Sequence, residues 1–421
     1  MKLTIVLLCA LVALTAAAPQ HHFAVLVAGS NEYWNYRHQA DVCHAYQLAV
    51  KSGIPQENII VMAYDDIANN HLNPLPGKIF NKKDGVDVYE GCNIDYSGAD
   101  VTPEKFLQVL QGKADGRNIK TDENSKIFVF FSDHGAPGLI AFPSEELYAD
   151  DLHKTIKEMH DAKSYNQMLV YIEACESGSM FDGILEDNLD VFATTAANPT
   201  ESSWGYYCHP DDTVNGVKIG SCLGDEFAIT WMEDTERALD EQVTCDYLIN
   251  DQVGYVTSTV KGSHVMQYGD VGIKKQAIGN FQGICYKPSA IETLMKPANK
   301  RHSHGDRKEY AKVDSRLVKL DFLYNRYMTT QSAEDARKLQ EELDKRIEIE
   351  ERFNIIRART NARFEEHPKI EKPSCYKQMV QTYKSKCGMD EYDLEFLNHF
   401  VNMCNSGVDV EHLSNLVTEH C

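Results

Sequence analysis

Ile127-Phe128-Val129-Phe130-Phe131-Ser132 and Met168-Leu169-Val170-Tyr171-Ile172-Glu173 are two short apolar runs, the first closing in Asp133-His134-Gly135 and the second in Ala174-Cys175-Glu176-Ser177. Runs of this length, rich in Ile, Val and Phe between polar residues, fit strands of a parallel sheet buried on both faces. In such sheets reactive groups collect beyond the carboxyl ends of the strands. His134 and Cys175, 41 residues apart in sequence, are thereby placed on one rim, where an imidazole can serve a thiol as acid and base. A cysteine in apolar surroundings is by default an inert core residue, and a histidine by default is not catalytic. The flanks argue for more. Gly135 removes the side chain where a substrate carbonyl would need a backbone N–H, and Ser177-Gly178-Ser179 opens the chain just after the thiol.

The same strand rhythm extends in both directions. Phe23 to Ala28 reads as a first buried strand, followed by a helix carrying Ala40, Cys43, Tyr46 and Val50 that stops at Ser52-Gly53. Asn58 to Tyr64 is a second strand, and Asp65 to Ala99, rich in Asn, Pro, Gly and Asp, reads as surface loop. Thr102-Pro103 opens a short helix with Thr as cap and Pro in the first turn. Leu152, Ile156 and Met159 give the helix between the two central strands an apolar face. Val191 to Ala197 is a further strand and Val265 to Tyr268 one near an edge. Alternating strands and helices imply an α/β architecture with a mostly parallel sheet.

At 421 residues the chain exceeds one typical core, so a large domain plus a smaller one is expected. Met1 to about Ala18 has one early Lys, a Leu/Val/Ala-rich run and small residues at its end, the pattern of a cleaved secretory signal. No later run approaches the ~20 apolar residues of a membrane span. Of the 12 cysteines, Cys9 lies in the leader and leaves an odd number in an oxidising route, so at least one thiol is unpaired. Cys175 is the candidate. Cys375, Cys387, Cys404 and Cys421 cluster at the C-terminus and read as two structural disulfides, while Cys208 and Cys222 bracket a loop that a bridge can close. Cys43, Cys92, Cys245 and Cys285 stay unassigned. The long irregular spacing of Cys92, Cys245 and Cys285 is weak evidence for zinc, and His302/His304 lacks a second ligand pair, so no metal and no cofactor is expected.

The net charge of −21 is unevenly spread. Residues 1–298 carry 41 acidic against 21 basic side chains, whereas residues 299–372 carry 15 against 18. An acidic body is a poor partner for nucleic acid or anionic membrane. Its attraction to a basic connector would weaken as carboxylates protonate. From about Tyr286 to Thr330 strand rhythm is lost and Lys, Arg, His and Asn rise, the composition of a linker. Ser332 to Ile356 is a long charged helix with pairs such as Glu341/Lys345 and Glu342/Arg346 at i, i+4; each contributes only ~0.2–0.5 kcal/mol, so the helix needs a packing partner. Helical spacing recurs at Tyr376/Met379/Val380/Tyr383, Leu394/Leu397/Val401 and Val410/Leu413/Val417.

Ser132-Asp133-His134-Gly135, Glu173-Ala174-Cys175-Glu176-Ser177-Gly178-Ser179 and Ala193-Thr194-Thr195-Ala196-Ala197-Asn198-Pro199 resemble the blocks of the legumain family of asparaginyl endopeptidases, over nearly the whole chain after the leader. The resemblance implies a caspase-like α/β sandwich with a mostly parallel central sheet (19–285), after a signal peptide (1–18). A linker or activation peptide (286–331) and a small disulfide-stapled all-α prodomain (332–421) that covers the site of the zymogen would follow. It implies pairing of Cys375 with Cys404 and of Cys387 with Cys421, and a Cys208–Cys222 bridge as in plant-like members. His134 would activate Cys175 and later protonate the leaving amine, with the N–H groups of Cys175 and Gly135 as oxyanion donors. Asn35, in Tyr33-Trp34-Asn35-Tyr36-Arg37-His38-Gln39-Ala40-Asp41, would orient His134, or else cap the helix beginning at Tyr36.

A carboxamide side chain has one acceptor oxygen and two donor hydrogens, so its recognition wants a cation and carboxylates together. Arg37, Glu173 and Asp225 supply these, and by the resemblance His38, Ser202 and Ser203 line the same pocket; the plainer reading of Arg37 with a carboxylate is a structural ion pair. Asp133 is either a succinimide former linked to peptide ligation or a hydrogen-bonding carboxylate at a strand end. Asn325 is the candidate self-cleavage site of the connector. The implied activity is thiol endopeptidase cleavage after Asn, and after Asp in acid, by a zymogen in the secretory pathway, bound for a lysosome- or vacuole-like compartment or secreted. Implied partners are protein and peptide substrates, the chain's own prodomain and cystatin-type inhibitors. A ligase using the same acyl-enzyme, and an inactive inhibitory or binding protein acting through its helical tail, are the alternatives. A caspase-like preference for Asp is opposed by Glu173 and Asp225, and a membrane-bound transamidase by the lack of a C-terminal span.

Overall fold

The protein's structure is a computed structural model that describes residues 21–285, 308–360 and 362–421. The leader, Cys9, His302 and His304 lie outside the described residues. The central sheet has six strands: β1 (His22–Ala28), β2 (Ile59–Met62), β3 (Lys126–Ser132), β4 (Gln167–Glu173), β5 (Val191–Thr195) and β6 (Met266–Gly269). Their spatial order is β6-β5-β4-β3-β1-β2. All pairings are parallel except β6 with β5, which is antiparallel at the edge.

The period of two along each strand separates two cores. Ala24, Leu26, Phe128, Phe130, Leu169 and Tyr171 face one side, where α1 (Tyr36–Lys51) packs and where Trp231 stands edge-on to Phe128, Phe130 and Tyr171. Trp231 belongs to α4 (Glu226–Asp240), and α5 (Ile249–Thr259) completes that layer. Phe23, Val25, Ile127, Val129, Phe131, Met168 and Val170 face the other side, covered by Phe106, Val109 and Leu110 of one helix and Leu152, Ile156 and Met159 of another. These are α2 (Pro103–Leu110), where Thr102 accepts the Lys105 N–H as cap, and α3 (Ala149–Asp161). Burying both faces is what makes the strands read as continuous apolar runs.

The stretch 65–99 forms no strand or long helix, yet it is not merely surface. Ile67, Ile79, Phe80, Asn81 and Val88 are buried in it, and Cys92 is bonded to Cys43 of α1. The connector differs from its composition more sharply. Lys312–Asp314 is a strand antiparallel to the short strand Trp204–Tyr206, and α6 (Val318–Thr330) follows it. A strand this short takes its stability from a distant edge, which no local pattern announces.

α7 (Ala333–Arg359) is the long charged helix, capped by Ser332. α8 (Pro373–Cys387), α9 (Asn398–Asn405) and α10 (Val410–His420) close around Phe353, Tyr376, Tyr383, Phe400 and Leu413, and that core also takes in Ala136, Leu139 and Tyr148 of the sheet-bearing body. Disulfides join Cys375 to Cys404, Cys387 to Cys421 and Cys208 to Cys222. No helix among the described residues is long and apolar enough to cross a membrane.

Candidate active site

Ser132 of β3 stands opposite Glu173 of β4, and the Asp133 N–H donates to the Glu173 carbonyl at 3.0 Å. The residues that follow both strands therefore leave the sheet at one rim. A Cβ at Gly135 would lie 2.2 Å from the Cys175 carbonyl oxygen, so only glycine lets the two loops meet there. Glu176 takes φ 47°, a left-handed turn directly after the thiol.

Cys175 is buried; its sulfur accepts the Ser203 N–H at 3.3 Å and lies 3.7 Å from Ser203 Oγ. Burial pushes the thiol up to about 11, against the pull of Arg316. The imidazole of His134 meets Asn35 Oδ1 through Nε2 at 3.0 Å, while its buried Nδ1 has no partner. Asn35 stands at the N-cap position of α1 but makes no capping bond with its side chain, which instead joins His134 and donates to the Asn31 carbonyl. Among the described residues no hydrogen bond joins Cys175 to His134. The sulfur's hydrogen-bond contacts in this state are with Ser203 and not with the imidazole, and its raised value favours the thiol form.

Arg37 enters from α1 and is fully buried. Its Nε donates to Asp225 Oδ1 at 2.9 Å and its Nη1 to Asn35 Oδ1 at 3.2 Å. Glu173 Oε2 accepts the Ala228 N–H at 2.9 Å, at the start of α4. Three atoms in this cluster are buried with no hydrogen-bond partner: Arg37 Nη2, Glu173 Oε1 and Asp225 Oδ2. The structural ion pair is present, and donor and acceptor capacity is left over. Burial raises the Glu173 carboxyl well above its ordinary value and Asp225 adds to this; Asp225 itself is raised by burial, with Arg37 opposing.

His38 takes Ser30 at 2.6 Å, lies 3.2 Å from Asp133 and 3.7 Å from Asp225, and is held neutral by burial beside Arg37 and His134. Asp133 is raised to about 7 by burial, with His134 opposing. Donor atoms of His38, Asp133 and His134 lie within 4.8 Å of one another, a spacing a metal ion could use, although all three are buried. Ser203 is beside the thiol, whereas Ser202 lines a neighbouring cavity of ≈ 790 Å³ with Glu176, Ser179 and Ile370.

The connector occupies this site. The Ser315 N–H donates to the Ser203 carbonyl at 3.0 Å, and the two hydroxyls are 3.1 Å apart. Arg316 Nη2 donates to the Gly135 carbonyl at 2.5 Å and to Glu176 at 2.7 Å; burial raises Glu176 to about 7 although Arg316 pulls it down. From the helical tail, Glu391 reaches within 3.5 Å of His134 Nε2 and accepts from Trp34 and Asn35. Asn325 lies in the middle of α6, half-buried, with its carbonyl accepting from Thr329.

Asp41, Ser315, Arg316 and Glu391 were not identified from sequence. Asp41 accepts from Asn81 at 2.7 Å and Ser132 at 3.1 Å beside Asp225. Its place in the Tyr33–Asp41 block was the available signal. The other three act through long-range packing that no motif carries.

Residues 22–284 match the Peptidase C13 family, and residues 337–421 match the legumain prodomain. The chain is 37% identical over 95% of its length to the vacuolar-processing enzyme delta-isozyme of Arabidopsis thaliana, covering 90% of it. It is 37% identical to legumain of Bos taurus, with coverage of 95% and 93%, and 40% identical to hemoglobinase of Schistosoma mansoni, with coverage of 95% and 91%. Caspase-1 of Spodoptera frugiperda aligns over 64% of this chain and 96% of its own at 12% identity, with a TM-score of only 0.35.

Proposed function

The chain belongs to the Peptidase C13 family and is a cysteine endopeptidase made as a zymogen with a legumain prodomain; from this premise we propose that its mature form hydrolyses peptide bonds after asparagine. One observation carries the choice of residue. Within the Arg37–Glu173–Asp225 cluster the unpartnered buried atoms are one donor, Arg37 Nη2, and two acceptors, Glu173 Oε1 and Asp225 Oδ2, which is the complement of a carboxamide: its oxygen accepts from Arg37 and its NH₂ donates to both carboxylates. Buried groups left unpaired are costly, so a substrate that satisfies all three is strongly preferred.

In the proposed cycle, removal of the connector exposes Cys175 and lets His134, oriented by Asn35, take the thiol proton. The thiolate attacks the carbonyl carbon, the N–H groups of Cys175 and Gly135 receive the oxyanion, and His134 returns the proton to the departing amine. Water then cleaves the thioester; an amine in its place would give ligation. His38, Ser202 and Ser203 shape the pocket wall, and Asp133 holds His38. The relatives named vacuolar-processing enzyme and legumain point to a vacuole- or lysosome-like compartment. Cystatin-type inhibitors would enter the same cleft.

Activated enzyme assayed with peptides that differ only at the residue before the scissile bond should turn over the Asn peptide, with hydrolysed product identified by mass. Arg37→Ala should lower kcat/KM for it by about 10- to 100-fold. Equal turnover of Gln, Asp and Asn peptides at neutral pH, or full activity without Arg37, would overturn the assignment. Joined product would instead make this a ligase.

A further inference from the structure

Once Cys175 is set aside, Cys245 and Cys285 are the cysteines outside the four disulfides among the described residues. They are 40 residues apart in sequence. The fold brings them together: Ile249 N–H donates to the Gln276 carbonyl at 2.8 Å, Ile278 N–H to Tyr247 at 2.9 Å and Gly279 N–H to Thr244 at 3.0 Å. The segment before Cys285 is thus stitched to the turn that joins α4 to α5. A Cβ built on Gly279 would be 3.0 Å from both Cys285 Sγ and the Thr244 carbonyl oxygen, so that sulfur and the residue preceding Cys245 flank the same glycine. Burial, and the Cys245 thiol after it, raise the Cys285 thiol, as two neighbouring thiols would.

We propose that Cys245 and Cys285 form a fifth disulfide in the native protein, clasping the C-terminal end of the catalytic body to the α4–α5 turn. Four other bridges show that the chain folds where disulfides form. The clasp lies at the end of the peptidase match at residue 284. It holds down a segment whose Phe281 is buried, whose Gln282 bonds Gln252 and Thr235 across α4 and α5, and whose Ile284 N–H donates to Ser52 at 2.9 Å. Cutting the connector beyond it would leave the catalytic body closed.

The oxidant is a disulfide of the oxidising compartment, carried by a protein or a small thiol. The Cys285 thiolate attacks one of its sulfurs, expels the other as thiolate and forms a mixed disulfide. The Cys245 thiolate then attacks Cys285 Sγ and displaces the second carrier thiolate. The carrier leaves as two thiols, taking two electrons and the two protons lost by the cysteines. Burial holds the Cys285 thiol up at about 12 although Lys126 pulls it down, so the exchange belongs to folding, before this segment closes.

The full-length protein, alkylated under denaturing, non-reducing conditions and digested, should yield a peptide pair joined through Cys245 and Cys285. Cys175 should be the alkylated cysteine. Cys245→Ser and Cys285→Ser should each expose one new alkylatable thiol and lower Tm by ~5–10 °C, with the double variant no lower than either. Turnover of the Asn peptide by the activated variants should be unchanged. Alkylation of both cysteines in the native protein overturns the bond even if neither variant folds, and a joined peptide with unchanged Tm in both variants overturns the clasp.

Discussion

Glu173 and Asp225 are buried beside Arg37, and burial raises Glu173 well above its ordinary value and Asp225 above its own. That direction decides how the pocket treats aspartate. At a pH where both are charged, an ionised Asp meets Arg37 but sets a third anion against them with no hydrogen to offer. As pH falls, the raised carboxyls take up protons before free carboxylates do, and a protonated Glu173 can donate to the substrate carboxylate. A free substrate Asp would itself protonate only at ~3.9. In the pocket proposed above, the raised Glu173 carboxyl moves the expected turning point upward. The ratio of kcat/KM for Asp against Asn peptides should rise with acidification from well above that value, and Glu173→Gln, which supplies an NH₂ at every pH, should raise the ratio at neutral pH and flatten its profile. A wild-type ratio that turns only at or below ~3.9, or a profile unchanged in the variant, contradicts this.

The element that covers the site is the short 3-10 turn Glu391–Phe396, and its charges set when the cover lifts. Glu391 is held far below its ordinary 4.5, by His134 first and Lys319 after it, and Asp390 is held below its ordinary value by Lys319 and Lys345. Carboxyls depressed by docking stabilise the docked state fully above their ordinary values and lose that contribution as pH falls below them. Glu176 and Glu395, raised by burial, have the opposite sign: protonation relieves the cost of burying them, so they favour docking between neutral pH and about 4.5. The charge distribution alone suggested an attraction that fades as the body protonates; the signs confine that fading to lower pH. With the chain between the two parts cut, gel filtration should show them together until pH falls below ~4.5. Glu391→Gln should separate at higher pH. Separation of the wild type above pH 6, with the variant unchanged, would remove Glu391 from the latch.

At the scale of the whole molecule, what local pattern could encode was legible. β1, β3, β4 and β5 read as apolar runs because both faces are buried, and His134 and Cys175 followed from where β3 and β4 end. The connector was not legible, since its strand exists only by pairing with Trp204–Tyr206 and the hold of Arg316 on Glu176 joins residues 140 apart. This packing constrains activation. Ser315 and Arg316 fill the cleft in front of Cys175, while Asn325 is helical in α6, and a helical residue cannot be presented as the extended chain a peptidase cleft takes. With Asn325 as the proposed cleavage site, a docked molecule is not expected to cut it in its own chain; we propose that α6 unwinds and that the cut comes from a second, already open molecule. Activation at acid pH should be autocatalytic, with a lag that shortens as zymogen concentration rises and vanishes when active enzyme is added. Cys175→Ala zymogen should stay intact alone yet be cut by added wild type, and Asn325→Ala should resist that cut. A rate constant independent of concentration over a tenfold range would mean that the chain cleaves itself from a rearranged state and that α6 does not protect Asn325.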